Sequence, residues 1–149
     1  MRYGRVGLTL VLALYASSAG STGEPFQVIV NQDNAVSSMT RVEITRLFLK
    51  KMTRWHDGVN VTPVDLPIDS AVRDEFSRVV MERSTQNVSA YWRRALFSGR
   101  ASPPRSLATD SEVVAFVSKN RGAIGYVSAS SPLDGVKRLT VLNGGDGGR

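Results

Sequence analysis

The chain has 149 residues, with 19 lysines and arginines against 13 acidic residues, one histidine and no cysteine. This length suits one ordinary domain with a single hydrophobic core. The composition excludes disulfides, thiolate metal sites, histidine-cluster metal sites and lipid attachment at a cysteine.

The first residues have the order of a secretory signal. Arg2 and Arg5 precede an uninterrupted apolar stretch at 6–16, and small residues follow it. The apolar stretch is short for a membrane span, so we expect cleavage after Ala19, with an uncleaved anchor as the alternative. The predicted organisation is a signal peptide at 1–19, a leader at 20–25, one domain at 26–142 and a flexible glycine-rich tail at 143–149. The predicted location is periplasmic or secreted, with no membrane span after cleavage.

The charge is modest once the signal is set aside. Without Arg2 and Arg5, 17 basic residues remain against 13 acidic ones, a net charge of about +4. The densest basic part is 91–105, where arginines occur beside aromatic residues. Those aromatic residues have the spacing of a core and the signal implies export, so no nucleic-acid partner is expected. The charge indicates a surface that attracts anions in general.

The first predicted elements are a strand and a capped helix. An apolar, β-branched run predicts a buried strand at 26–31, followed by a polar loop at 32–39. Thr40 and Glu43 have the spacing of a capping box, in which each residue bonds the backbone of the other. Apolar residues at helical spacing follow, so we predict a helix over about 41–51.

The middle of the chain predicts a second strand and two helices. The strand is expected at 59–66, and Pro63 favours an edge position or a strand end because proline lacks the donor for a sheet ladder. One helix is predicted after Asp69 and another from about Ser84. Their apolar stripes are interpreted as core positions: Val72, Phe76, Val79 and Val80 in the first, and Val88, Tyr91, Trp92, Ala95 and Leu96 in the second.

The last third predicts one more helix between a loop and two strands. Residues 98–108 form the main loop, and a second capping box at 109–112 opens a helix. Strands are expected at 122–129 and 136–142. Within the first of these strands, Gly122 and Gly125 bracket Ile124 and indicate a close approach of neighbouring elements on both sides. Alternating strands and helices predict an α/β fold with helices covering a sheet.

Two long stretches resemble phosphate-type extracytoplasmic solute-binding proteins: TRVEITRLFLKKMTRWHDGVNVTPVDLPIDSAVRDEF (40–76) and AYWRRALFSGRASPPRSLATDSEVVAFVSKNRGAIGYVSAS (90–130). The most specific piece is Gly122-Ala123-Ile124-Gly125-Tyr126-Val127. The resemblance implies a type 2 periplasmic-binding fold, a three-layer α/β lobe with a mixed or parallel sheet. Family members have two such lobes and trap a ligand between them, whereas this chain is long enough for about one. It also lacks the glycine-rich segment of the other lobe.

The resemblance also implies where an anion would bind. Phosphate-binding members carry an arginine, three intervening residues and then serine–glycine–threonine at a helix start. Here Leu66 stands at the arginine position, Ser70 matches the serine, and Ala71 and Val72 replace the glycine and threonine. Arg73 is a substitute cation or a solvent-facing side chain. Free N–H groups at such a helix start attract anions, so Ser70, Ala71, Val72 and Arg73 form the candidate site.

The first strand-to-helix loop is the second predicted part of this anion rim. Asn34, Ser37 and Ser38 lie in it, and loops at the carboxyl ends of strands are the usual ligand rim of open α/β sheets. We therefore expect these three residues near Ser70.

Other chemistries have weaker support. Ser70, His56 and Asp69 lack the strained turn of a nucleophile, so we predict no catalytic activity and no cofactor. Asp65 and Asp69 without a ligand-rich loop are interpreted as solvated and capping residues instead of a cation site. Trp55 is expected to pack over the end of the first helix.

Two functions follow from these observations. The first is a solute-binding module similar to the substrate-binding component of phosphate ABC transporters, with weak oxyanion binding and a second lobe supplied by another chain or by a homodimer. The alternative is a ligand-free interaction or sensory module of the cell envelope with a protein partner. The missing lobe and the changes at Leu66 and Ala71-Val72 are the reasons for the alternative.

Overall fold

The computed structural model describes residues 25–144, so the predicted signal peptide and the end of the tail lie outside the described residues. The strands are β1 (Phe26–Asn31), β2 (Ser38–Thr40), β3 (Thr62–Asp65), β4 (Arg105–Ser106), β5 (Ala123–Ser128) and β6 (Val136–Leu142). The helices are α1 (Arg41–Phe48), α2 (Ala71–Val79), α3 (Thr85–Phe97) and α4 (Asp110–Lys119). Within 25–144, none of the helices has the length and apolar character needed to cross a membrane.

The six strands form one mixed sheet in the order β2-β6-β1-β5-β3-β4. Strand β1 is antiparallel to β5 and β6, whereas β3 is parallel to β5 and β2 is parallel to β6. Strands β2, β3, β5 and β6 therefore run in the same direction. Their C-terminal ends lie together at one end of the sheet, where β1 begins. We call this the carboxyl edge; it carries Asp65, Ser128 and Phe26. The predicted α/β lobe with a mixed sheet is confirmed.

Helices cover both faces of the sheet. A Cβ atom at Gly125 in β5 would lie 2.7 Å from Val113 Cγ1 of α4 and 3.0 Å from Val64 Cγ2 of β3. The next residue, Tyr126, points to the other face, where its ring stacks on Phe76 of α2. The close approach predicted around Gly125 is thus confirmed, and it is α4 that approaches.

Aromatic rings fill the core between the sheet and helices α1 and α2. The rings of Phe76 and Tyr126 stack with centroids 3.9 Å apart. Phe48 of α1 lies 4.8 Å from Phe76, and Phe26 of β1 meets Phe76 edge-on at 5.6 Å. All four side chains are buried, so Phe76 is the centre of this aromatic cluster.

The two predicted capping boxes differ in the structure. At α1 the box is complete: Glu43 N–H donates to Thr40 Oγ1 at 3.2 Å, and Thr40 N–H donates to Glu43 Oε2 at 2.8 Å. At α4 only half is formed, because Glu112 accepts from the amide of Ala108 instead of that of Thr109. The second box was therefore wrong in its return bond, although the helix begins where predicted.

Helix α1 ends earlier than the predicted 41–51. Lys50 has φ of 52°, a left-handed conformation that stops an α-helix and that favours glycine. The amides of Lys51 and Met52 then both donate to the carbonyl of Arg46, at 2.8 and 3.1 Å. At the end of α1, Lys50 therefore adopts the left-handed conformation that glycine usually provides at the end of a helix.

The predictions for three segments, 32–39, 59–66 and 98–108, need correction. The loop predictions at 32–39 and 98–108 missed β2 and β4, which are too short to show a strand pattern. Strand β3 does not extend over 59–66, because Asn60 pairs with Arg54 in a small hairpin instead. Pro63 does not lie in an edge strand, since β3 is flanked by β5 and β4. It is the second residue of β3, near the strand end that proline tolerates.

Trp55 fixes this hairpin to the sheet. Its side chain is buried, and its indole N–H donates to the carbonyl of Gly122 at 3.0 Å, just before β5. The amide of Thr62 donates to the same carbonyl at 2.9 Å. Gly122 is thus enclosed by backbone, and a Cβ atom there would overlap the carbonyl oxygen of Asn60.

We expect Gly122→Ala to lower the free energy of unfolding by about 3 kcal/mol, the upper part of the range for overpacking, because the opposing atom is backbone and cannot rotate away. Gly144→Ala is the matched control, since a Cβ atom there meets nothing within 4 Å. Urea denaturation followed by tryptophan fluorescence measures both. Equal midpoints for the two variants would contradict the close packing of the hairpin on β5.

Candidate functional site

The turn between β3 and α2 lies at the carboxyl edge and faces solvent. Ser70 begins α2 as its N-cap, with its hydroxyl oxygen accepting from the Arg73 amide at 3.3 Å. The Ser70 amide donates to the carbonyl of Pro67 at 3.0 Å and closes the turn. Ile68 is 62% exposed at the tip of this turn. The predicted helix start is confirmed as a capped turn on an open surface.

Two backbone donors at this turn are free within residues 25–144. The amides of Ala71 and Val72 have no acceptor there, because they precede the first intrahelical bond, from Asp74 N–H to the Ser70 carbonyl. Asp74 is the acidic residue in the first turn of α2, and its carboxylate accepts a hydrogen bond from Thr85 Oγ1 at 2.9 Å. The N–H groups at the start of α2 therefore point to the position where an external anion would lie.

Arg73 does not point into solvent. Its Nη2 lies 3.1 Å from Asp65 Oδ2, and its Nη1 donates to the carbonyl of Leu66 at 2.7 Å. The side chains of Arg73 and Asp65 are only 12% and 11% exposed. The guanidinium thus lies beside the backbone of residue 66, where the resemblance implies an arginine, but its charge is balanced by Asp65.

Tyr126 completes a buried network under this turn. Its hydroxyl donates to Asp65 Oδ1, which also accepts the amide of Leu66 at 3.1 Å. Burial raises the pKa of Asp65, although Arg73, Tyr126 and the Leu66 amide act in the opposite direction. Burial and the neighbouring Asp65 carboxylate raise the pKa of Tyr126, so its phenol keeps the proton that it donates.

The Asp65–Tyr126 pair was missed from the sequence, where Asp65 was interpreted as solvated or capping. That interpretation is wrong because Asp65 is buried as the last residue of β3. A usable signal was present. Tyr126 lies in an apolar strand, a buried tyrosine hydroxyl needs a partner, and Asp65 ends another strand of the same fold.

A second polar cluster at the carboxyl edge was also missed. Asp110, the first residue of α4, accepts from the amide of Ser128 at 3.0 Å and from Ser131 Oγ at 2.6 Å, and Ser128 Oγ is a third donor. Burial raises the pKa of Asp110, but these hydrogen bonds outweigh it and hold the pKa below its ordinary value. The carboxylate at the start of α4 is therefore held by Ser128 and Ser131, at and just after the end of β5.

The loop at 34–38 does not join Ser70 in one rim. The loop follows β1, whose direction is opposite to that of β3, so Asn34 lies at the end of the sheet away from Asp65, and its amide donates to the Asn31 carbonyl. Ser38 lies at the carboxyl edge, because it pairs with Thr140, but β6, β1 and β5 separate its strand β2 from β3. At a spacing of about 4.8 Å per strand, these four steps amount to about 19 Å. Asn34 accepts the amide of Val36, and the carbonyl of Ser37 pairs with β6. The predicted proximity of Asn34 to Ser70 was wrong because β1 is antiparallel to its neighbours. Ser37 and Ser38 lie at the same end of the sheet as Ser70, but four strand positions away from β3.

The catalytic and cation alternatives gain no support from the geometry. His56 lies exposed in the hairpin, and no hydrogen bond within 25–144 joins it to Ser70 or Asp69. Asp65 is occupied by Arg73 and Tyr126 and is not available to a cation. No group of three metal-ligating side chains lies close together among the described residues.

The candidate turn lies outside four cavities of the described chain. These four have volumes of about 290 to 500 Å³, and Ser70, Ala71, Val72 and Arg73 line none of the four. The largest follows α1 and the segment after α2. An anion at the α2 turn would therefore remain exposed to water on one side.

The sequence matches the model of one protein family. That family is the PBP superfamily domain, and the match covers residues 22–148. No curated protein sequence matches this chain.

Solved structures similar to this fold are larger. An ABC-type phosphate transport receptor from Vibrio cholerae has a TM-score of 0.62 at 20% identity, over 78% of this chain and 46% of that chain. A putative phosphate ABC transporter substrate-binding protein with bound phosphate from Clostridium perfringens has a TM-score of 0.61 at 22% identity, over 78% and 44%. A possible phosphate binding protein from Planctomyces limnophilus has a TM-score of 0.60 at 18% identity, over 80% and 42%. This chain spans less than half of each, which confirms the predicted likeness to a single lobe.

Proposed function

The chain belongs to the PBP superfamily domain family, and we propose from this that it is a ligand-binding lobe of an extracytoplasmic solute-binding protein that contacts phosphate or a similar oxyanion. The observation that carries the proposal is the start of α2, where two free amides and the Ser70 cap face solvent at the carboxyl edge of a solute-binding fold. The proposal assigns no catalytic activity to the chain.

The chemistry of the turn supports an anion in preference to a cation. Free N–H groups and the positive end of the α2 dipole attract negative charge. The Arg73 guanidinium is 3.1 Å from Asp65, so the pair contributes little net charge. Backbone donors and the Ser70 hydroxyl therefore provide most of the attraction, and each charge-assisted hydrogen bond contributes about 1.5–3 kcal/mol before solvent competition.

A single lobe is expected to bind weakly. Ile68 and Ala71 are exposed around the free amides, so water reaches the anion and the dipole contribution falls to about 0.3–1 kcal/mol. We therefore propose a dissociation constant on the order of 1 mM for the isolated chain. A second lobe would enclose the ligand and complete the site.

Thermal denaturation in phosphate tests this proposal. With a dissociation constant of about 1 mM, phosphate at about 10 mM should stabilise the folded chain by about 1.4 kcal/mol relative to chloride at the same ionic strength. Sulfate tests whether the site accepts oxyanions in general. Retention of phosphate through extensive dialysis would contradict the weak, open site. The absence of any response to both anions would contradict binding by the isolated lobe.

Two variants locate the response at α2. Ala71→Pro removes one free N–H, and proline suits the first helical position, because Ser70 before it already has an extended conformation with ψ of 125°. Ser70→Ala removes the cap, and Ser84→Ala removes the similar cap of α3 as its matched control. We expect both cap variants to lose about 1 kcal/mol of stability. Only the two α2 variants should lose the phosphate response; an unchanged response in both would place the anion elsewhere.

A further inference from the structure

The C-terminal end of α3 carries an unusual exposed aromatic residue. Phe97, the last residue of the helix, is 97% exposed, and Leu96 beside it is 53% exposed. The phenylalanines of the aromatic cluster, by contrast, are buried in the core. Singly exposed apolar residues are ordinary, but a fully exposed phenylalanine next to an exposed leucine forms a protruding apolar point.

Positive charge surrounds this point. Residues 83–109 contain five arginines and no aspartate or glutamate. Arg93 and Arg94 lie four and three residues before Phe97, so all three share one face of α3. No salt bridge among residues 25–144 involves Arg93, Arg94 or Arg100. The exposed side chains of Leu96 and Phe97 therefore lie among cations whose charge is not balanced within the described chain.

A cavity beside Phe97 is also lined by basic residues. Its volume is about 290 Å³, and three basic residues line it without any acidic residue. The full lining is Leu49, Lys50, Tyr91, Arg94, Ala95, Ser98, Arg100 and Ala101. Lys50 contributes a cation to the wall of this cavity. Its backbone has φ of 52°, a left-handed conformation that residues other than glycine rarely adopt. The cavity has room for about ten water molecules by volume, which is sufficient for a small anionic group.

We propose that the end of α3, residues 93–100, binds the surface of an anionic phospholipid bilayer. Phe97 enters the interfacial region with Leu96 beside it, while Arg93, Arg94 and Arg100 contact lipid phosphates and the cavity receives one headgroup. Basic residues around an aromatic or aliphatic anchor are the composition of interfacial membrane-binding segments. A protruding side chain suits a fluid interface, because insertion there requires no matching pocket on a partner.

The position of this surface is compatible with a ligand at the other edge of the sheet. The cavity lies against Lys50 at the end of α1, whereas Ser70 lies at the carboxyl edge, where α1 begins. Lipid binding at α3 therefore leaves the α2 turn free. The proposal does not depend on phosphate binding at Ser70, and Ser70→Ala should keep full affinity for vesicles.

Vesicle co-sedimentation tests the proposal on protein that begins at Gly20. The described strands and helices begin at Phe26, so protein that begins after the predicted cleavage site at Ala19 keeps all of them. We expect binding to vesicles with about one-third phosphatidylglycerol, and none to pure phosphatidylcholine. Each cation near an anionic surface strengthens binding on the order of fivefold, so the double variant Phe97→Ser with Arg93→Gln should bind at least about tenfold more weakly.

A matched double variant lies on α1. Val42 and Arg46 are an exposed apolar residue and an arginine four positions apart, like Phe97 and Arg93 in the opposite order. Val42→Ser with Arg46→Gln removes the same kinds of groups and the same charge, and it should bind vesicles like the wild type. An equal loss in both double variants would overturn the proposal, because it would show only a general charge effect.

Two further results would also overturn it. Release of the protein from anionic vesicles by about 10 mM inorganic phosphate at constant ionic strength would show that the cavity takes free phosphate instead of lipid. Failure to sediment with anionic vesicles at low salt, together with a stoichiometric acidic protein bound through Phe97, would assign the surface to a protein. Salt-sensitive sedimentation that Phe97→Ser weakens is the supporting result.

Discussion

Asp65→Ala is expected to lower the free energy of unfolding by about 3 kcal/mol, the lower end of the range for breaking a buried ion pair. The substitution leaves the guanidinium of Arg73, which is only 12% exposed, with the Leu66 carbonyl as its remaining partner. It also removes the acceptor of the buried Tyr126 hydroxyl. Urea denaturation followed by tryptophan fluorescence measures the change.

The exposed pair of Asp57 and Arg121 is the matched control. Its N–O distance is also 3.1 Å, but its side chains are 37% and 61% exposed. Solvent screens such a pair, so Asp57→Ala should change the free energy of unfolding by no more than about 1 kcal/mol. Similar losses for the two aspartate variants would contradict a special role of the buried network.

A compensating change separates the charge from the packing. In an Asp65→Leu background, the uncompensated charge of Arg73 remains and should account for much of the loss. Replacement of both partners, Asp65→Leu with Arg73→Met, removes both charges and keeps similar volumes. We expect the double variant to recover at least half of the stability lost by Asp65→Leu alone. No recovery would indicate that the Tyr126 hydroxyl and the local packing dominate instead.

This network bears on the proposed anion site because it supports the start of α2 from below. Arg73 is in the first turn of α2, and Asp65 holds it against the end of β3. Loss of Asp65 should therefore loosen the turn and also free the Arg73 guanidinium. In the Asp65→Asn variant, which keeps the shape of the side chain, an unbalanced Arg73 would strengthen attraction for phosphate while lowering stability.

Most of the fold could be predicted from the sequence because its main signals are local. The complete capping box at Thr40 and the apolar run of β1 depend only on neighbouring residues. The length of α1 could not be predicted, because a lysine instead of a glycine adopts the left-handed conformation at residue 50. Strands β2 and β4 have three and two residues and exist only through their pairing with distant strands.

The candidate site could be predicted only in part, because the sequence shows neither the direction of β1 nor the order of the strands. The cap at Ser70 follows from its own sequence and was placed correctly. Whether the loop after β1 lies beside it depends on the direction of β1 and on the order of the strands in the sheet, and the periodicity of a single strand carries neither kind of information. The Asp65–Tyr126 contact joins residues 61 positions apart and could be inferred only from the need of a buried hydroxyl for a partner.

The largest loss of stability is expected for Phe76→Ala, about 3–5 kcal/mol. Phe76 contacts three other aromatic rings, including the stacked ring of Tyr126 at 3.9 Å, and its removal leaves a cavity between α2 and the sheet. The rigid β-sheet on one side limits collapse of that cavity. Phe76→Leu keeps part of the volume and should lose less. Urea denaturation of the wild type, Phe76→Ala and Phe76→Leu measures the free energy of unfolding of each protein.

Phe97→Ala is the matched control, because it removes the same side chain from a position that is 97% exposed. We expect its free energy of unfolding to remain within about 0.5 kcal/mol of the wild type. The two phenylalanine variants thus separate core packing from surface function: Phe76→Ala should lose stability, and Phe97→Ala should lose affinity for anionic vesicles without losing stability. A large destabilisation by Phe97→Ala would show that this side chain packs against the protein in solution, and it would contradict both its exposure and its proposed role at the membrane.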